Sequence, residues 1–379
     1  MNNPILPGST LGMLGGGQLG KMFVTAAQTM GYKVIVLEPD AKSPAGVIAE
    51  QHICAAYDDK DALQLLADQC DAITTEFENI PSETLAFLEK LTIVHPSSTA
   101  LASTQNRNVE KAFISSLGIA TAPYAKITNK DDIATVEQKI MFPAILKVAT
   151  FGYDGKGQFP CESITDVYSA FDSLGQKECV LEQKIRLAKE VSVVLARSQS
   201  GDVTPFPVAE NVHINGILHS TSVPTSISNT LSELAVQQAH KIAAGLDYVG
   251  TMAVEFFISE EGEVIANEIA PRPHNSGHYT LDACHTSQFE QQVRMLCDLS
   301  AGNTSLISPV VMINLLGDVW GKTVPNWQEV LSNPNIKLHL YGKHEARKGR
   351  KMGHYNVLAE SVSQAMTEAE QTFSKLKAD

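Results

Sequence analysis

The sequence predicts an α/β domain, followed by a mixed α+β region and a small C-terminal region. Over roughly the first hundred residues, short apolar segments with strand character alternate with segments of helical periodicity, an order typical of a mostly parallel sheet. After Pro96, extended segments follow one another with few helices between them, which indicates antiparallel hairpins. These changes place the predicted domains at 1–97, 98–299 and 300–379.

The elements of the first domain are predicted from hydrophobic periodicity and from turn residues. A short apolar strand over 10–14 enters a glycine-rich turn, and the helix after it, 21–30, stops at Gly31. A buried strand over 33–37 ends at Glu38. The remaining elements alternate as helix 62–67, strand 72–75, helix 83–88 and strand 92–95.

The same patterns predict the elements of the two later domains. In the middle domain they are helix 109–117, strand 143–148, extended segments 179–185, 190–197, 206–212 and 217–223, helix 231–246, two strands around Gly262 and helix 289–299. In the last domain they are strands 310–315, 337–341 and 355–359, one short helix and a closing helix over 362–375.

Composition excludes several classes of partner. The chain has 379 residues, with 29 Lys or Arg against 42 Asp or Glu, and a formal net charge of −13. Such an acidic chain is not expected to bind nucleic acid or an anionic membrane through nonspecific charge. No apolar run approaches the roughly 18 residues that a membrane span needs. Six cysteines lie far apart without a CxxC pair, so we expect reduced, buried thiols and a cytoplasmic protein.

A GxGxxG pattern lies at the first strand-to-helix turn, formed by Gly15, Gly17 and Gly20. Glycines let the backbone approach a phosphate, and the helix N-terminus offers free N–H groups. Glu38 ends the next strand, where a dinucleotide site places the acid that binds ribose. A lone match is weak evidence, so the pattern indicates either a dinucleotide site or a tight turn without a ligand.

A second glycine-rich segment, 150–158, lies between predicted strands and is not followed directly by a helix, unlike a Walker A loop. Its glycines and Lys156 can close over a polyphosphate, and an ordinary mobile hairpin is the alternative. Lys147 lies inside an apolar strand, where its charge needs an anion. A bound phosphate would supply that anion, and so would a structural ion pair.

The segment around Gly262 predicts a β-hairpin with two opposed carboxylates. If Glu261 and Gly262 form a two-residue turn, Glu255 lies opposite Glu268, with Cβ atoms roughly 5 Å apart. Opposed carboxylates repel unless a proton or a cation lies between them, and Mg²⁺ bound by carboxylate and phosphate oxygens satisfies this requirement. A turn of different length would break the predicted pairing.

Two further segments present polar groups. Prolines make 271–278 a rigid extended segment that presents Arg272, His274 and Asn275, and its proline and glycine residues argue against a helical zinc motif. The segment 343–351 holds five Lys or Arg residues in nine positions. Cations concentrated in an acidic chain predict an anion site, such as one for a phosphoester, with a solvated charged turn as the alternative.

The motifs LGGGQLG at 14–20, EFEN at 76–79, FGYDGKGQ at 151–158, NEIAPRPHNSGH at 267–278 and GRKMGH at 349–354 occur in that order. Together they resemble the 5-(carboxyamino)imidazole ribonucleotide synthetases, a family of ATP-grasp enzymes, over nearly the whole chain. The resemblance implies an ATP-grasp fold with an N-terminal Rossmann-like pre-ATP-grasp domain and a small C-terminal domain.

The resemblance also implies roles for individual residues. The residues it places at ATP are Arg107, Lys147, Gly152, Tyr153, Asp154, Gly155, Lys156, Gly157, Gln158, Glu182, Gln183, Lys184, Ile185, Glu190, His213, Asn267 and Glu268. The residues it places at the acceptor substrate are Gly17, Gln18, Leu19, Glu76, Arg272, His274, Asn275, Lys343, Arg350 and Lys351. The metal ligands would be Glu255 and Glu268, and the catalytic residues Glu76, Tyr153, Asp154, Lys156, Arg272 and Lys351.

The activity implied by the resemblance is ATP- and bicarbonate-dependent carboxylation of aminoimidazole ribonucleotide in purine synthesis. Bicarbonate would attack MgATP to give carboxyphosphate and ADP, and the released CO₂ would be captured by the exocyclic amine. The implied cofactors are ATP and Mg²⁺, with Mn²⁺ as the alternative ion. The implied assembly is a homodimer that passes its product to a separate mutase.

Two departures from the family pattern bear on this interpretation. Asn106 stands where the family usually has Asp before Arg107, and Ala270 stands where many ATP-grasp enzymes have Asn; the carboxyaminoimidazole branch shares the second. Three alternative functions remain at this stage. They are an ATP-grasp ligase with a different phosphorylated acceptor, an NAD-dependent dehydrogenase that uses GxGxxG, and a nucleotide-binding scaffold without turnover.

Overall fold

A parallel sheet forms the N-terminal part of the protein, whose computed structural model describes residues 3–136, 139–150, 157–321 and 324–376. Its strands are β1 (Thr10–Leu14), β2 (Lys33–Leu37), β3 (Gln51–Ile53), β4 (Ala72–Thr75) and β5 (Ile93–Val94), in the order β3-β2-β1-β4-β5. The helices are α1 (Gln18–Thr29), α2 (Lys60–Gln69), α3 (Ser82–Leu88) and α4 (Ser98–Gln105). Apolar layers cover both faces of this sheet, which is why its central strands are apolar runs without alternation.

A four-stranded antiparallel sheet follows, in the order β6-β9-β7-β8. Its elements are α5 (Arg107–Ser116), β6 (Tyr124–Ile127), α6 (Lys130–Ile133), β7 (Ala144–Val148), β8 (Gln158–Cys161), α7 (Ile164–Ser173) and β9 (Cys179–Gln183). Helix α7 begins with a capping box, in which Ser163 and Asp166 satisfy each other's backbone N–H groups. Phe171 on this helix packs into the core beneath the sheet.

A nine-stranded sheet carries the rest of the chain, in the order β15-β14-β10-β12-β13-β16-β18-β17, with β11 paired to β10. Its first half comprises β10 (Leu187–Arg197), β11 (Val203–Pro205), β12 (Ala209–Ile214), β13 (Ile217–Val223), α8 (Asn229–Gly245), β14 (Gly250–Ser259) and β15 (Val264–Ala270). Its second half comprises α9 (Thr280–Ala283), α10 (Gln288–Leu296), β16 (Val310–Leu316), α11 (Trp327–Leu331), β17 (Ile336–Leu340), β18 (Lys351–Leu358) and α12 (Val362–Leu376).

The large sheet runs without a break across position 300. Strand β13 pairs with β16 in an antiparallel register that joins Ser220 to Ile313 and Val223 to Val310. The segment predicted as a separate C-terminal domain therefore shares its backbone hydrogen bonds with the middle of the chain. The three domain boundaries stay a prediction.

The fold class predicted from the sequence is confirmed. The strands predicted at 10–14, 33–37, 72–75 and 217–223 have the predicted bounds, and the middle region contains antiparallel hairpins. Seven elements were missed, namely β3, α4, β6, α6, α7, β11 and α9. All except α7 are short or lack a strong hydrophobic period, and the capping box is the signal that could have identified α7.

Two predictions about cysteines and membranes can be compared with the described residues. None of the six cysteines forms a disulfide, and five of them are buried. Cys54 is exposed, so the prediction of buried thiols was wrong at that position. Within the described ranges, no helix has both the length and the apolar character that crossing a membrane requires.

Candidate active site

A cleft of about 390 Å³ lies between the four-stranded sheet and the edge of the large sheet that ends in β14 and β15. Sixteen of the residues predicted for ATP, metal or acceptor line it, namely Arg107, Lys147, Gln158, Glu182, Gln183, Lys184, Ile185, Glu190, His213, Glu255, Asn267, Glu268, Arg272, His274, Asn275 and Lys351. The two sheets therefore bring together residues that are far apart in the sequence. The cleft is the candidate active site.

Two carboxylates face each other at the large-sheet side of this cleft. Glu255 on β14 pairs directly with Glu268 on β15, as predicted. The predicted two-residue turn was wrong, because Phe256 pairs with Ala266 and the Ser259 N–H donates to the Glu263 carbonyl, which closes a three-residue turn. A β-bulge next to Glu255 absorbs the extra residue and restores the pairing of the two glutamates.

The environment of these carboxylates favours a neutralising cation. Burial, together with the negative charge of Glu268, raises the pKa of Glu255 to about 7. Glu255 Oε1 lies 3.2 Å from His274 Nε2, and Glu268 Oε2 lies 3.1 Å from Arg107 Nη1. Burial would lower the pKa of Arg107, but the charge of Glu268 and two other glutamates raises it above its ordinary value. Arg107 therefore stays charged.

A buried carboxylate holds two lysines on the small-sheet side. Glu182 Oε2 lies 3.0 Å from Lys147 Nζ and 3.3 Å from Lys111 Nζ. Burial would raise the pKa of Glu182, but the lysines lower it to about 2. Burial and the neighbouring cations Arg107 and Lys111 lower the pKa of Lys147 despite its bond to Glu182. The structure thus contains the ion pair that was the alternative explanation for a lysine in this strand.

Lys111 was not among the predicted site residues. It lies on α5, and its side chain is only 1% exposed. Its ammonium brings a second buried cation to a single carboxylate, so this corner of the cleft carries an excess of positive charge. A phosphate group would balance that excess.

A second ion pair lies farther along the large sheet. His213 Nδ1 on β12 lies 2.6 Å from Glu190 Oε2 on β10. Burial would lower the pKa of His213, but its bond to Glu190 and the nearby glutamates raise it above the ordinary value. Both side chains had been predicted to contact ATP, and both line the cleft.

Arg272 is anchored by a glutamate that sequence analysis missed. Its guanidinium makes a two-pronged ion pair with the Glu78 carboxylate, with Nη2 donating to Oε1 at 3.1 Å and Nε donating to Oε2. Burial would raise the pKa of Glu78, but Arg272 lowers it. Glu78 belongs to the EFEN motif, so the motif itself was the available signal.

Glu110 is a further missed residue of the cleft. Burial and the charge of Glu268 raise its pKa to about 8. Its Oε1 accepts a hydrogen bond of 2.6 Å from the Ile269 N–H, the residue after Glu268. The other missed residues of the cleft include Asn79, Thr104, Gln105, Ala122, Ile145 and Phe257.

The glycine-rich turn is filled by carboxylates of the protein itself. The Gly17 and Gly20 N–H groups donate to Glu76, the latter at 2.7 Å, and the Gly16 N–H donates to Glu38 Oε2 at 2.8 Å. A side chain at Gly15, where φ is +101°, would place its Cβ 2.4 Å from Glu76 Cγ. The donors that would bind a pyrophosphate are therefore occupied, which contradicts the dinucleotide interpretation.

The basic segment lines a second cavity, of about 870 Å³. Its lining includes Gln18, Lys343, Arg347, Lys348, Arg350 and Lys351. Lys351, at the start of β18, lines both this cavity and the first cleft, so this residue borders both spaces. Leu19 was predicted to contact the acceptor substrate, but its side chain packs into the core beneath the parallel sheet.

Several predicted residues lie outside the described part of the chain. They are Gly152, Tyr153, Asp154, Gly155 and Lys156. Gly157 is described, and its carbonyl accepts a hydrogen bond of 3.0 Å from the Val148 N–H. No group of three or more His, Cys, Asp or Glu side chains suited to a metal occurs among the residues that are described. Any metal bound by Glu255 and Glu268 would need further oxygen ligands from elsewhere.

Three family profiles match the chain in sequence order. They are described as "Ribonucleotide synthetase preATP-grasp domain" at 9–105, "ATP-grasp domain" at 112–289 and "Phosphoribosylaminoimidazole carboxylase C-terminal domain" at 310–368. The cleft between two antiparallel sheets and the middle profile together define an enzyme of the ATP-grasp class.

Similarity to individual proteins is more specific. An N5-carboxyaminoimidazole ribonucleotide synthase of Bacillus subtilis is 45% identical over 350 residues, covering 92% of this chain and 91% of that protein. The crystal structure of the Staphylococcus aureus N5-carboxyaminoimidazole synthetase complexed with ADP has a TM-score of 0.91 at 39% identity, over 98% of this chain and 99% of that one. The Aspergillus clavatus synthase in complex with ADP and 5-aminoimidazole ribonucleotide has a TM-score of 0.89 at 30% identity, covering 97% and 98%. The chain belongs to the N5-carboxyaminoimidazole ribonucleotide synthase family.

Proposed function

We propose that the protein catalyses the ATP- and bicarbonate-dependent carboxylation of the 5-amino group of 5-aminoimidazole ribonucleotide, giving N5-carboxyaminoimidazole ribonucleotide in purine synthesis. The observation that carries the proposal is the position of Lys351, where a cleft with opposed carboxylates meets a cavity with a basic lining. The cleft suits a nucleoside triphosphate, and the basic cavity suits a phosphorylated acceptor. The activity of the family supports the same assignment.

The nucleotide would lie between the two sheets. Arg107 and Lys147 would contact its phosphates, and Lys111, buried against Glu182 behind the lining of the cleft, would add positive charge to this corner. The segment from Glu182 to Ile185 would line the base, and Glu190 with His213 would face the ribose. The roles predicted for 152–156 concern residues outside the described ranges and stay predictions.

Glu255 and Glu268 fit a divalent cation, and Asn267, the residue directly before Glu268, lines the same cleft. Their donor set is two hard carboxylate oxygens, which suits Mg²⁺ together with phosphate oxygens, and Mn²⁺ is the alternative. When bound, the ion would neutralise charge on the nucleotide phosphates. Arg107 and His274 hold the carboxylates in place.

The reaction would proceed in three balanced steps. A bicarbonate oxygen attacks the γ-phosphorus, the bond to the β-phosphate oxygen breaks, and carboxyphosphate and ADP form. The carboxyphosphate C–O bond then breaks to give CO₂ and phosphate. The exocyclic amine attacks CO₂, a C–N bond forms, and one amine proton passes to the phosphate released in the preceding step. Arg272 and Lys351 would stabilise the negative charges of these species, with His274 and Asn275 beside them.

Glu76, Gly17 and Gln18 would position the acceptor ribonucleotide, and Lys343 and Arg350 would bind its phosphate. The cavity with Gln18 on one side and this basic pair on the other supports that placement. We further propose a homodimer in the cytoplasm that passes its product to a separate mutase. The family resemblance supports the dimer and the mutase, and unpaired cysteines support a reducing compartment.

The deciding experiment is ADP release from the purified protein with MgATP, measured with and without aminoimidazole ribonucleotide and bicarbonate. Release that requires both compounds is the expected result. Release stimulated by another phosphorylated acceptor, but not by aminoimidazole ribonucleotide, would favour the alternative ATP-grasp ligase. Tight ATP binding without turnover under every condition would identify a scaffold.

A further inference from the structure

A chain of buried polar side chains runs away from the candidate active site into the large sheet. Thr221 on β13 donates from its hydroxyl to Asn211 Oδ1 at 2.9 Å, and Asn211 Nδ2 donates to Ser192 Oγ at 3.0 Å. Ser192 then donates to Ser276 Oγ at 2.7 Å, and Ser276 Oγ lies 2.8 Å from His274 Nδ1. All four side chains before His274 are buried.

The strand register brings these residues together. Asn211 lies opposite Thr221 in the β12–β13 pair, and Ser192 on β10 lies opposite Glu255 on β14. The row of hydrogen bonds therefore begins on β13, three strands away from Glu255 on β14, and returns to that carboxylate through His274. Four buried hydroxyl and amide groups carry a desolvation cost unless each finds a partner, and the chain satisfies that need.

The direction of the chain is set at its last link. A row of hydroxyl groups and one amide can donate in either direction, because each hydroxyl can rotate and the amide can flip. The backbone N–H of Ser276, however, donates to His274 Nδ1 at 3.3 Å, and an N–H group cannot accept. In this structure Nδ1 therefore accepts, from the Ser276 hydroxyl at 2.8 Å and through the longer 3.3 Å bond from the N–H, so the imidazole proton is on Nε2.

This tautomer has a consequence for Glu255. Nε2 lies 3.2 Å from Glu255 Oε1, and with its proton in place it donates to that carboxylate. The main chain of His274 is fixed as well, because Gln288 accepts from its N–H and donates to its carbonyl, each at 2.8 Å. Backbone and ring are thus both held toward the carboxylate.

We propose that Ser276, Ser192, Asn211 and Thr221 are positioning residues that keep His274 in the Nε2–H tautomer, so that it donates to Glu255 and orients that carboxylate. The inference rests on the proposed function only in taking Glu255 as a residue of the nucleotide site. The row of hydrogen bonds ends at Thr221, whose side chain is fully buried. It therefore sets orientation and does not conduct protons to solvent.

Asn211→Asp tests the direction of the chain. A carboxylate at this position can only accept, so Ser192 would turn to donate to it and Ser276 would turn to donate to Ser192. The Ser276 hydroxyl would then offer only a lone pair to Nδ1, and because its 2.8 Å contact is shorter than the 3.3 Å bond from the N–H, we expect His274 to donate from Nδ1. Ser276→Ala removes the 2.8 Å hydroxyl contact and leaves only the 3.3 Å bond from the backbone N–H, so it is expected to allow both tautomers. Asn314→Asp is the matched control for the tautomer, because it introduces the same change at a buried asparagine of the same sheet whose side chain donates to the Leu218 carbonyl, outside this row of hydrogen bonds. Asn314 lines the second cavity, so this control is compared by its spectrum and not by its rate.

The tautomer is measured by long-range ¹H–¹⁵N correlation spectra of protein labelled at histidine, with the His274 signals assigned by their loss in His274→Gln. We expect a pyridine-type Nδ1 in the wild type and in Asn314→Asp, a protonated Nδ1 in Asn211→Asp, and both forms in Ser276→Ala. A protonated Nδ1 in the wild type would overturn the inference. An unchanged tautomer in a folded Asn211→Asp, or in Ser276→Ala, would overturn it as well.

Kinetics provide the second readout. Loss of the residues that orient a ligand typically costs about 10–100-fold, so both variants should lower kcat for ADP release by that factor while KM for ATP changes little. If the wild type shows no ADP release that depends on aminoimidazole ribonucleotide, the proposed function fails. The spectra would still decide the tautomer, so the two failures are distinguishable.

Discussion

Glu255 lies directly opposite Glu268 across the β14–β15 hairpin, but the hairpin reaches this pairing through two irregularities that cancel. The turn contains one residue more than the two that the sequence suggests, and a bulge beside Glu255 absorbs it. A bulge re-aims neighbouring side chains and increases the local twist. The bulge thus produces the opposed carboxylates, and both line the cleft.

Glu268→Gln should abolish most of the activity without unfolding the protein. The substitution keeps the shape of the side chain but removes the negative charge that faces Glu255 and pairs with Arg107. Loss of one preorganised electrostatic contact typically costs about 10²–10³-fold in kcat, and we expect a loss of at least that size in ADP release.

Glu263→Gln is the control for this prediction, because Glu263 lies in the same hairpin with an exposed side chain. It should retain the wild-type rate. Equal turnover by Glu268→Gln and the wild type would remove Glu268 from the proposed metal site.

Glu182, Lys147 and Lys111 form a buried triad, and substitutions in it distinguish a structural ion pair from a phosphate-binding site. Glu182→Gln leaves Lys147 and Lys111 buried without an anion, which should cost about 3–5 kcal/mol in the free energy of unfolding. Lys147→Met leaves Glu182 paired with Lys111, so its effect on stability should be much smaller. If Lys147 contacts phosphate, Lys147→Met should weaken ADP binding about tenfold or more.

Urea denaturation and calorimetric titration with ADP measure the two quantities for the triad. A large loss of stability in Lys147→Met, with unchanged ADP affinity, would identify a purely structural ion pair. Lys126→Met is a suitable control, since Lys126 forms an exposed ion pair with Glu178 on the same sheet and should change neither quantity appreciably.

Glu76→Gln should destabilise the N-terminal sheet. The Glu76 carboxylate accepts from the Gly17 and Gly20 N–H groups, and an amide would turn one NH₂ group against these donors. A buried donor without an acceptor costs about 1–3 kcal/mol, which a urea titration would detect. Glu83→Gln, at an exposed position of α3, is the control. An unchanged free energy of unfolding in Glu76→Gln would show that the glycine turn does not need its carboxylate.

The His213–Glu190 pair predicts a dependence of stability on pH. Its neighbours raise the pKa of His213, so below the unfolded value of about 6.5 the ring is charged in both states and the stabilisation is fully present. As the pH rises through the higher folded-state pKa, the proton is lost and the stabilisation disappears.

The comparison of wild type with His213→Gln tests this sign. The difference in the free energy of unfolding should be largest at mildly acidic pH and should shrink in alkaline solution. His240→Gln, at an exposed position of α8, should show no such trend. A difference that grows with pH would mean that the pair does not hold a proton on His213.

The sequence predicted the fold where periodicity was strong. The central strands of the parallel sheet are apolar on both faces, so β1, β2 and β4 have the predicted bounds. The glycine pattern correctly predicted a strand, a turn and a helix. It could not reveal that Glu76, about sixty positions away, fills the turn, because a GxGxxG match contains no information about which anion satisfies it.

The candidate site could be predicted where the chemistry lies within one motif. The hairpin glutamates and the 271–278 segment were identified in this way. Lys111 and Glu78 were missed because their importance depends on partners from other elements, Glu182 and Arg272. The His274 tautomer was equally inaccessible, since it depends on Ser192 and Asn211, which no local pattern connects to it.

The continuous large sheet has a consequence for how the protein can be divided. Cutting the chain before β16 would leave β13 with a row of unpaired backbone N–H and C=O groups, since the β13–β16 ladder would be lost. Exposed strands of this kind pair with other chains and aggregate. The C-terminal segment therefore covers an edge of the large sheet and also supplies the basic lining of the second cavity. It cannot be removed as a separate module without exposing that edge.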